Sequence, residues 1–301
     1  MGYDVQQLLT YSQGIYSDWA IKHPITKFFA PEVPVMAEKF FYKNFGTGNQ
    51  FNLQETTRAI GGGAARLAFQ VTDSQSVLFE NSLETTIDDI EKRQNAEMFD
   101  QLQMVKIRDL STTILNNDLK ALFAFMNGTV AVTPSGGAIP APFSGGLWST
   151  SVNDPIVDID AVCKYIADLT GLIPNRIYLD LGAWLLAKNN TKILGRIQYI
   201  QFAIATIEQI KALTAVPLEW MIGGGAQFVS GSASNCWIFY GQDNPGQMDP
   251  SAFKTFVRTA NRFDALRQYR EERIRSDVYY IDWQQNRLVT GPSLVVRFTV
   301  T

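Results

Sequence analysis

The chain has 301 residues, of which 46% are hydrophobic and 18% charged, with a formal net charge of -3 and a pI near 5.3. This composition is that of a globular protein with one large or two smaller domains, and it excludes a disordered chain. The slight negative charge argues against a protein whose main task is to grip nucleic acid through a strong positive field.

The cysteines and the N-terminus indicate the compartment in which the protein folds. Cys163 and Cys236 do not make a disulfide framework, so we expect two buried thiols and folding in a reducing compartment. The N-terminus lacks the pattern of a signal peptide, and no stretch approaches the roughly 20 apolar residues that a membrane span needs. We therefore expect a soluble protein that is not exported by a recognisable signal.

Residues 1–39 are predicted to form an N-terminal arm. Polar residues alternate with Tyr3, Tyr11, Tyr16 and Trp19, and three prolines between positions 24 and 34 interrupt any long helix. We expect an extended segment with one short helix. Such an arm lies either on an adjacent subunit or on its own body, and the sequence leaves both open.

Residues 40–71 predict two strands around a long connection that contains glycine, which is a candidate extended β-hairpin loop. The strands are Phe40–Tyr42 and Leu67–Val71. The glycines at 61–63 resemble part of a phosphate-binding loop. Because no Lys-Ser or Lys-Thr follows them, we assign no nucleotide site there.

The longest helical signal covers residues 85–126. Thr85 and Thr86 followed by acidic residues indicate a helix start, and Gly128 ends the helix. A helix of about 30 residues spans about 45 Å. Two apolar stripes with a phase slip near residues 106–111 run along it: Met98, Leu102 and Val105, then Leu110, Ile114, Leu119, Leu122, Phe123 and Met126. Residues 127–153, rich in glycine, proline and serine, are the best candidate domain boundary.

Residues 154–199 predict a helix, a turn, a strand and a second helix. Asp154-Pro155 starts the first helix and Gly171 stops it. The strand runs from Arg176 to Leu181 and the second helix from about Gly182 to Lys188. The apolar face of the first helix consists of Ile156, Ile159, Val162, Cys163, Ile166 and Leu169.

This combination resembles the central domain of tailed-bacteriophage major capsid proteins. The residues that carry the resemblance are Thr170-Gly171, Pro174-Asn175-Arg176, Trp184-Leu185-Leu186 and Ile193-Leu194-Gly195-Arg196-Ile197. The parts on either side follow a similar order, so the resemblance covers most of the chain.

The resemblance implies an α+β chain with the Hong Kong 97-type fold. Its expected parts are an N-terminal arm (1–39), an extended β-hairpin loop (40–71), the first part of a peripheral domain with a long spine helix (72–150), an axial domain (151–250) and the return of the peripheral domain (251–301). In that family the extended loop reaches across a neighbouring subunit.

After residue 199 the chain predicts a helix and then strands. The helical part continues through Ile207–Lys211, and Leu218–Ile222 and Cys236–Tyr240 read as strands on either side of a glycine trio, Gly223–Gly225. This trio also lacks the lysine that a phosphate loop requires.

The segment 253–301 is the one locally basic part of the chain. Three interpretations stay open: a solvated face with internal ion pairs, salt bridges between subunits, and contact with packaged nucleic acid. Val278–Ile281 and Leu294–Phe298, with a turn at Gln285–Arg287, predict a closing pair of strands. The arginines are Arg258, Arg262, Arg267, Arg270, Arg273, Arg275, Arg287 and Arg297.

We identify no catalytic, cofactor-binding or metal-binding residue. His23 is the single histidine and lies in the predicted arm before Pro24, so a catalytic triad or a histidine metal site would have to rest on one mobile residue. The close carboxylate pairs, Asp88-Asp89, Glu271-Glu272 and Asp158 with Asp160, should diverge rather than meet on one substrate. Some capsid relatives join a loop lysine to an asparagine of another subunit, and the resemblance makes Lys39 and Lys43 candidates for such a bond.

The expected function is therefore structural. The resemblance implies a major capsid protein, not an enzyme, that assembles in the host cytoplasm into pentamers and hexamers of an icosahedral phage head enclosing double-stranded DNA. The expected partners are other copies of the chain, a separate scaffold protein or none, a portal, decoration proteins, and packaged DNA through weak non-specific contact. We expect no cofactor and no membrane partner.

Two rival functions stay open. An encapsulin-like nanocompartment has the same fold and encloses an enzyme, and a hydrophobic groove for a cargo peptide beside the arm would favour it. A soluble α/β enzyme would need a deep polar pocket near Gly223–Gly225.

Overall fold

The computed structural model describes residues 3–45, 73–129, 139–149, 152–197, 206–223, 234–259 and 266–300. Within these ranges the helices are α1 (Val5–Lys22), α2 (Ile25–Phe29), α3 (Asp89–Gln94), α4 (Phe99–Thr129), α5 (Pro155–Thr170), α6 (Leu181–Asn189), α7 (Thr191–Ile197) and α8 (Ile207–Lys211), with 3₁₀ turns at Ala96–Met98 and Pro292–Leu294. The strands are β1 (Glu32–Val35), β2 (Lys39–Lys43), β3 (Asp73–Val77), β4 (Phe79–Asp88), β5 (Arg176–Asp180), β6 (Glu219–Gly223), β7 (Ser234–Phe239), β8 (Phe253–Arg258), β9 (Leu266–Glu271), β10 (Ser276–Val289) and β11 (Val295–Val300).

The chain divides into two compact units, each made of separate stretches of sequence. Unit 1 holds the described residues of 1–40, 75–125 and 254–288, and unit 2 holds those of 41–74, 126–253 and 289–301. The fold is mixed α and β, as the sequence predicts.

Unit 1 is built on a five-stranded sheet. Its strands run in the order β1, β8, β10, β4, and β9 also pairs with β10. The pairing of β1 with β8 is parallel, whereas β10 is antiparallel to both β4 and β9. The core that α1, α4 and this sheet share consists of Leu8, Ile87, Ile107, Leu110, Ile114, Leu266, Tyr279, Ile281 and Trp283.

The spine helix is present as α4, whose 31 residues span about 46 Å. Its start and its phase differ from the prediction. Thr85 and Thr86 lie in β4, and Asp88 instead caps α3, where its carboxylate accepts from the Ile90 N–H at 2.6 Å. The helix is continuous through residues 106–111, where the sequence predicts a phase slip.

The reason for the apparent slip is that the buried face of α4 contains polar residues. Gln103 is buried and donates to the Tyr279 hydroxyl at 2.8 Å. Ser111 is also buried, and its hydroxyl oxygen lies 3.0 Å from that of Ser12, with which it shares a hydrogen bond. The second predicted stripe is buried as expected. The first is wrong, because Met98 and Val105 are 57% and 42% exposed.

The N-terminal segment also departs from the prediction. Residues 5–22 form one helix of 18 residues, where an extended segment with one short helix was expected. Asp4 closes a capping box with Gln7, and the prolines act only after the helix has ended. The buried residues of α1 include Ser12, and this polar residue weakens the apolar periodicity in the sequence. Leu8 packs in the core of unit 1, so this part of the chain lies on its own body.

Unit 2 contains a four-stranded sheet in the order β11, β7, β5, β6, in which only β5 and β6 are parallel. Helix α5 packs five of the six residues of its predicted apolar face on this sheet, whereas Leu169 lies outside the core. The shared core includes Ile159, Val162, Ile166, Ile177, Leu179, Cys236, Ile238, Val296 and Phe298. Asp154 caps the helix, and Gly171 ends it with a left-handed φ of 73°. The predicted order of helix, strand and helix in residues 154–188 is confirmed.

A polar turn joins the end of α5 to β5. The side chain of Asn175 donates to the Gly241 carbonyl at 2.8 Å and accepts from the Gly241 N–H at 2.9 Å. Arg176 is buried and forms ion pairs with Asp243 and, at 3.5 Å, with Glu219. The Pro174-Asn175-Arg176 sequence therefore holds the segment that follows β7 against the start of β5.

The closing strands differ from the prediction. Gln285–Arg287 is not a turn, because β10 continues through it for 14 residues. The polar side chains that suggested a turn have partners, since Gln285 and Arg287 contact Asp118 and Asn286 donates to the Val77 carbonyl at 2.7 Å. β10 and β11 then belong to different sheets and do not pair.

Of the predicted extended loop, the structure describes the base. β2 contains the first predicted strand, and β3 at residues 73–77 is its partner in a two-stranded sheet. Residues 46–72, with the predicted strand Leu67–Val71 and the glycines at 61–63, lie outside the described residues.

Candidate functional site

The single histidine ends a helix. The backbone N–H of His23 donates to the Trp19 carbonyl at 2.9 Å, and the two ring centroids are 5.0 Å apart. His23 is thus part of an ordered helix end in unit 1, where the sequence suggested a mobile position.

The neighbouring carboxylates point to different partners. Asp158 is 1% exposed and accepts from the Ser144 N–H at 2.6 Å, the Ser144 hydroxyl at 2.5 Å and Trp148 Nε1 at 2.8 Å. Asp160 instead accepts from the Ala215 N–H at 3.0 Å. The predicted divergence of this pair is confirmed, and Asp158 acts as an anchor for the segment that precedes α5.

The other two pairs also separate. Asp88 caps α3, whereas Asp89 pairs with Arg270. Glu272 lies 3.6 Å from Arg270, and Glu271 lies 3.7 Å from Arg273. The residues 271–272 end a strand and begin a turn rather than sitting on a helix, and each carboxylate is matched by a different arginine.

The segment before α5 turns sharply. Gly145 and Gly146 have φ values of 80° and 81°, and a Cβ on Gly146 would lie 2.4 Å from the Thr299 carbonyl oxygen. This turn brings Trp148 into the core of unit 2, where its ring meets Phe298 edge to face at 5.8 Å. Within the predicted boundary segment 127–153, the described residues 139–149 therefore include an anchored turn.

Four charged residues of unit 1 form a cluster between α3, β9 and β10. Arg270 donates to both carboxylate oxygens of Asp89 at 2.8 and 2.5 Å, and Lys92 lies 2.6 Å from Asp277. The hydrogen bonds from Arg270 hold the pKa of the Asp89 carboxyl well below its usual range. The cluster is partly open to solvent, so salt screens it and we expect its contribution to stability to be small.

A second ionic contact in unit 1 is more enclosed. Arg287 of β10 lies 2.6 Å from Asp118 of α4, and both side chains are about 10% exposed. Gln285 donates to the same carboxylate oxygen at 2.6 Å. The sequence analysis missed Asp118, although an acidic residue beside the apolar stripe of a long helix is a signal that could have indicated a buried partner.

The basic segment is largely paired within the chain. Arg258 lies 3.2 Å from Glu38, and Arg270 and Arg287 have the partners given above. Arg297 donates to the Asn127 carbonyl, and Arg262 lies outside the described residues. These contacts support the first of the three interpretations, a face with internal ion pairs.

Asp180 is a buried acid that the sequence analysis did not single out. It lies at the end of β5 and accepts from the Asn235 N–H at 3.1 Å, on the same face of the strand as Tyr178. Burial raises the pKa of its carboxyl to about 6. Asp180 is thus a described carboxyl that changes charge close to neutral pH.

Both cysteines are buried free thiols, as predicted. Burial raises the pKa of Cys163 to about 12 and that of Cys236 well above its usual value. Both thiols are therefore protonated at neutral pH and are poor nucleophiles.

An open cavity of about 500 Å³ lies in unit 2 beside α6. Trp148, Leu185, Leu186, Asn190 and Ser234 contribute to its lining, and none of the described lining residues is charged. The cavity therefore offers a mixed apolar and amide surface without an acid, a base or a cation.

In the described part of the chain, no group of three or more His, Cys, Asp and Glu side chains is arranged to hold a metal ion. None of the described helices has the length and apolar character that a membrane crossing requires.

Strands β2 and β4 each have an exposed face with charged side chains. The basic strand surface consists of Lys39, Phe41 and Lys43 on one face of β2, and Phe41 is 54% exposed. The acidic strand surface consists of Glu80, Ser82 and Glu84 on the outer face of β4, next to Phe79, which is 64% exposed. Chemically these surfaces are suited to protein contacts rather than to catalysis.

No protein-family model and no curated protein matches the chain. Solved structures do match it over nearly its whole length. A phage-related protein from Bordetella bronchiseptica RB50 superposes with a TM-score of 0.68 at 20% identity, covering 98% of this chain and 96% of that one.

Two shell proteins match less closely. The mature capsid of bacteriophage PhiM1 has a TM-score of 0.51 at 11% identity, covering 91% of this chain and 86% of that one. An encapsulin complex from Synechococcus elongatus PCC 7942 has a TM-score of 0.52 at 10% identity, covering 93% and 86%. With the long helix, the two discontinuous units and the strand pair at the base of the loop, these matches establish that the chain has the Hong Kong 97-type fold of tailed-phage major capsid proteins.

Proposed function

We propose that the chain is a major capsid protein that assembles into pentamers and hexamers and closes into an icosahedral phage head around double-stranded DNA. The observation that carries the proposal is the match of the whole fold, over 98% of the chain, to a phage-related protein, together with its likeness to a phage capsid. The work of such a protein is self-association, in which many modest interfaces act together.

In this proposal each of the five expected parts of the chain has its own role in assembly. The loop 40–71 reaches over neighbouring copies, whereas helix α1 of the arm 1–39 packs on its own body. Residues 72–150 and 251–301 form the shell wall, and residues 151–250 make contacts around the ring axes. The site of action is the virion, after assembly in the host cytoplasm. We expect its partners to be other copies of the chain, a separate scaffold protein or none, a portal, decoration proteins and the packaged DNA.

The internal pairing of the basic segment agrees with weak contact to DNA. Arg258, Arg270 and Arg287 are matched by carboxylates within the chain, which leaves Arg267, Arg273 and Arg275 as the exposed arginines of the described segment. The net charge of -3 adds no general attraction to nucleic acid.

An encapsulin-like shell is the second candidate, because the encapsulin complex matches the fold as well as the PhiM1 capsid does. The expected cargo groove would lie beside the N-terminal segment. A cavity of about 10 Å³ lies beside that segment, between Ser12, Tyr16 and Ile114. The contents of assembled shells decide between the phage head and the nanocompartment.

The enzyme alternative finds little support. The Gly223 backbone is closed off by Tyr178, whose hydroxyl oxygen would lie 2.7 Å from a Cβ on that glycine. Residues 224–225 of the glycine trio lie outside the described residues.

The test is electron microscopy with light scattering on the purified chain, followed by analysis of the contents of any particles. Closed shells, rings or tubes are expected, and shells formed in cells should contain nucleic acid. A chain that stays monomeric across the micromolar range contradicts the proposal. Shells filled with one host protein would favour the encapsulin alternative.

A further inference from the structure

The outer edge of β4 has no strand partner in the described part of the chain. β4 has ten residues, about 33 Å, and its only partner among the described strands is β10. Proteins protect long edge strands with lysine, proline or bulges, and the β4 sequence contains neither lysine nor proline. An edge of this kind is suited to contact with another chain.

The outer face of β4 is acidic. Glu80 and Glu84 are exposed on either side of Ser82, while the alternate residues Leu83 and Ile87 face the core. Asp282 of β10 lies opposite Ser82, and no described residue donates to its Oδ1. One nearby cation is Arg267, which also lies over the Tyr280 ring, and Glu84 lies beside Tyr269. A second is Arg258, which donates to Gln284, the residue opposite Glu80. This face therefore carries three carboxylates with two arginines nearby.

The basic strand surface of β2 has the matching pattern. Lys39 and Lys43 are four residues apart on one face, with exposed Phe41 between them, and Phe40 on the opposite face is buried against Phe256. Four residues of extended strand span about 13 Å, which is the same separation as that of Glu80 and Glu84. Two lysines can thus meet two glutamates in one antiparallel register, in which Phe41 faces Ser82.

Described residues of the same copy do not neutralise these charges, although Glu84 has a hydrogen bond with the Tyr269 hydroxyl. None of the four side chains forms an ion pair with a described residue, and the contact made by Lys43 is with the Phe45 ring at 5.1 Å. Pairing of β4 with β4 of another copy would place Glu84 against Glu84, which is unfavourable. The complementary surface that this chain itself supplies is that of β2.

We propose that the acidic strand surface of one copy (Glu80, Ser82, Glu84) binds the basic strand surface of a second copy (Lys39, Phe41, Lys43). The contact is heterologous, since it uses different patches on the two copies. It leaves the basic surface of the first copy and the acidic surface of the second available for further copies, which is what a growing ring or shell requires. The inference rests on the proposed function, because it names which surfaces of the self-associating chain meet.

Charge reversal tests the contact. Glu80→Lys with Glu84→Lys should reduce assembly, measured by light scattering and sedimentation, by at least tenfold at 0.15 M salt. Adding Lys39→Glu and Lys43→Glu to the same chain should restore it to within about twofold. Glu97→Lys and Lys120→Glu are the matched controls, since both residues are exposed and lie outside the two surfaces, and each should leave assembly unchanged.

Cysteine cross-linking gives a second readout that does not depend on the extent of assembly. Ser82→Cys and Phe41→Cys are placed in separate chains and mixed under oxidising conditions. The expected product is a disulfide dimer that needs both variants, whereas Glu97→Cys mixed with Phe41→Cys should give none. The native thiols are buried and do not interfere.

The outcomes separate the two proposals. A wild-type chain that never associates contradicts the proposed function and this inference together. A wild-type chain that assembles, while the reversed pair assembles equally well and the cysteines fail to cross-link, overturns this inference alone.

Discussion

Asp118 on α4 and Arg287 on β10 are 169 residues apart in the sequence, yet their side chains lie 2.6 Å apart with about 10% of each exposed. The contact joins the spine helix to the central strand of the five-stranded sheet in unit 1. A charge in such a place is stable only with its partner, because water cannot solvate it well.

Asp118→Asn should therefore destabilise the protein. The substitution leaves the Arg287 guanidinium enclosed without its counter-charge, and we expect the free energy of unfolding to fall by about 3 kcal/mol. Chemical denaturation with a far-ultraviolet circular dichroism readout measures the change. Asp109→Asn on the same helix is the control, since Asp109 is 66% exposed and should change stability by less than about 0.5 kcal/mol. Equal effects of the two substitutions would contradict the structural role of the pair.

Asp158→Asn should loosen the segment that precedes α5. The carboxylate accepts three hydrogen bonds, and an amide in its place presents a donor to groups that themselves donate. We expect a loss of about 2 to 4 kcal/mol, together with a change in Trp148 fluorescence. Asp168→Asn is the matched control, because it lies on the exposed side of the same helix. An unchanged melting temperature for Asp158→Asn would show that the anchor is dispensable.

Asp180 should make stability depend on pH in an unusual direction for an acid. Burial raises the pKa of its carboxyl in the folded state to about 6, whereas an unfolded aspartate titrates near about 3.9. The folded state holds the proton more tightly, so the contribution of Asp180 to stability is fully present below about pH 4 and is lost as pH rises through about 6.

Asp180→Asn removes that penalty and keeps an oxygen for the Asn235 N–H. After allowance for partial solvent screening, we expect it to raise the free energy of unfolding by about 2 kcal/mol at pH 7.5 and by little at pH 4. Denaturation curves at the two pH values measure the difference. The same gain at both would mean that charge at Asp180 is not the cause.

Gly146→Ala should be poorly tolerated for two separable reasons. Its φ of 81° strains any residue with a Cβ, and that Cβ would lie 2.4 Å from the Thr299 carbonyl oxygen. We expect a loss of about 2 kcal/mol or more in thermal unfolding.

Two glycine controls separate the causes. Gly145→Ala has the same φ but open space around it, so it should show the strain alone and cost less. Gly195→Ala, with open space on a helix, should be neutral or stabilising by up to about 1 kcal/mol. If Gly146→Ala lowers the free energy of unfolding by no more than Gly145→Ala does, the close approach to Thr299 does not contribute to the destabilisation.

The sequence predicted best those elements whose signals are local. Helix α5 has its cap at Asp154, its left-handed end at Gly171 and its apolar face within 18 residues, and all three are found in the structure. The long helix was also predicted, but the phase of its apolar face was not. Gln103 and Ser111 are polar residues on the buried face, and their partners, Tyr279 and Ser12, lie far away in the chain.

Strand ends were predicted less well for the same physical reason. The sequence around Thr85 is typical of a helix start, but Thr85 pairs with Tyr279 in the sheet. The sequence Gln285–Arg287 is typical of a turn, but its residues pair with β4 and with Asp118. Asp118, Asp158 and Asp180 are important because their side chains are buried or nearly so. Their burial depends on residues far away in the chain, so it could not be predicted from the sequence around them.

The chain passes between the two units five times, at residues 40/41, 74/75, 125/126, 253/254 and 288/289. β4 ends at Asp88, and its partner strand begins only at Ser276. At a synthesis rate of 5–20 residues per second, a ribosome needs roughly 10 to 40 s to make the intervening chain. The five-stranded sheet therefore cannot close until translation is almost complete, and a half-made chain cannot yet present a finished β4 surface to the copies around it.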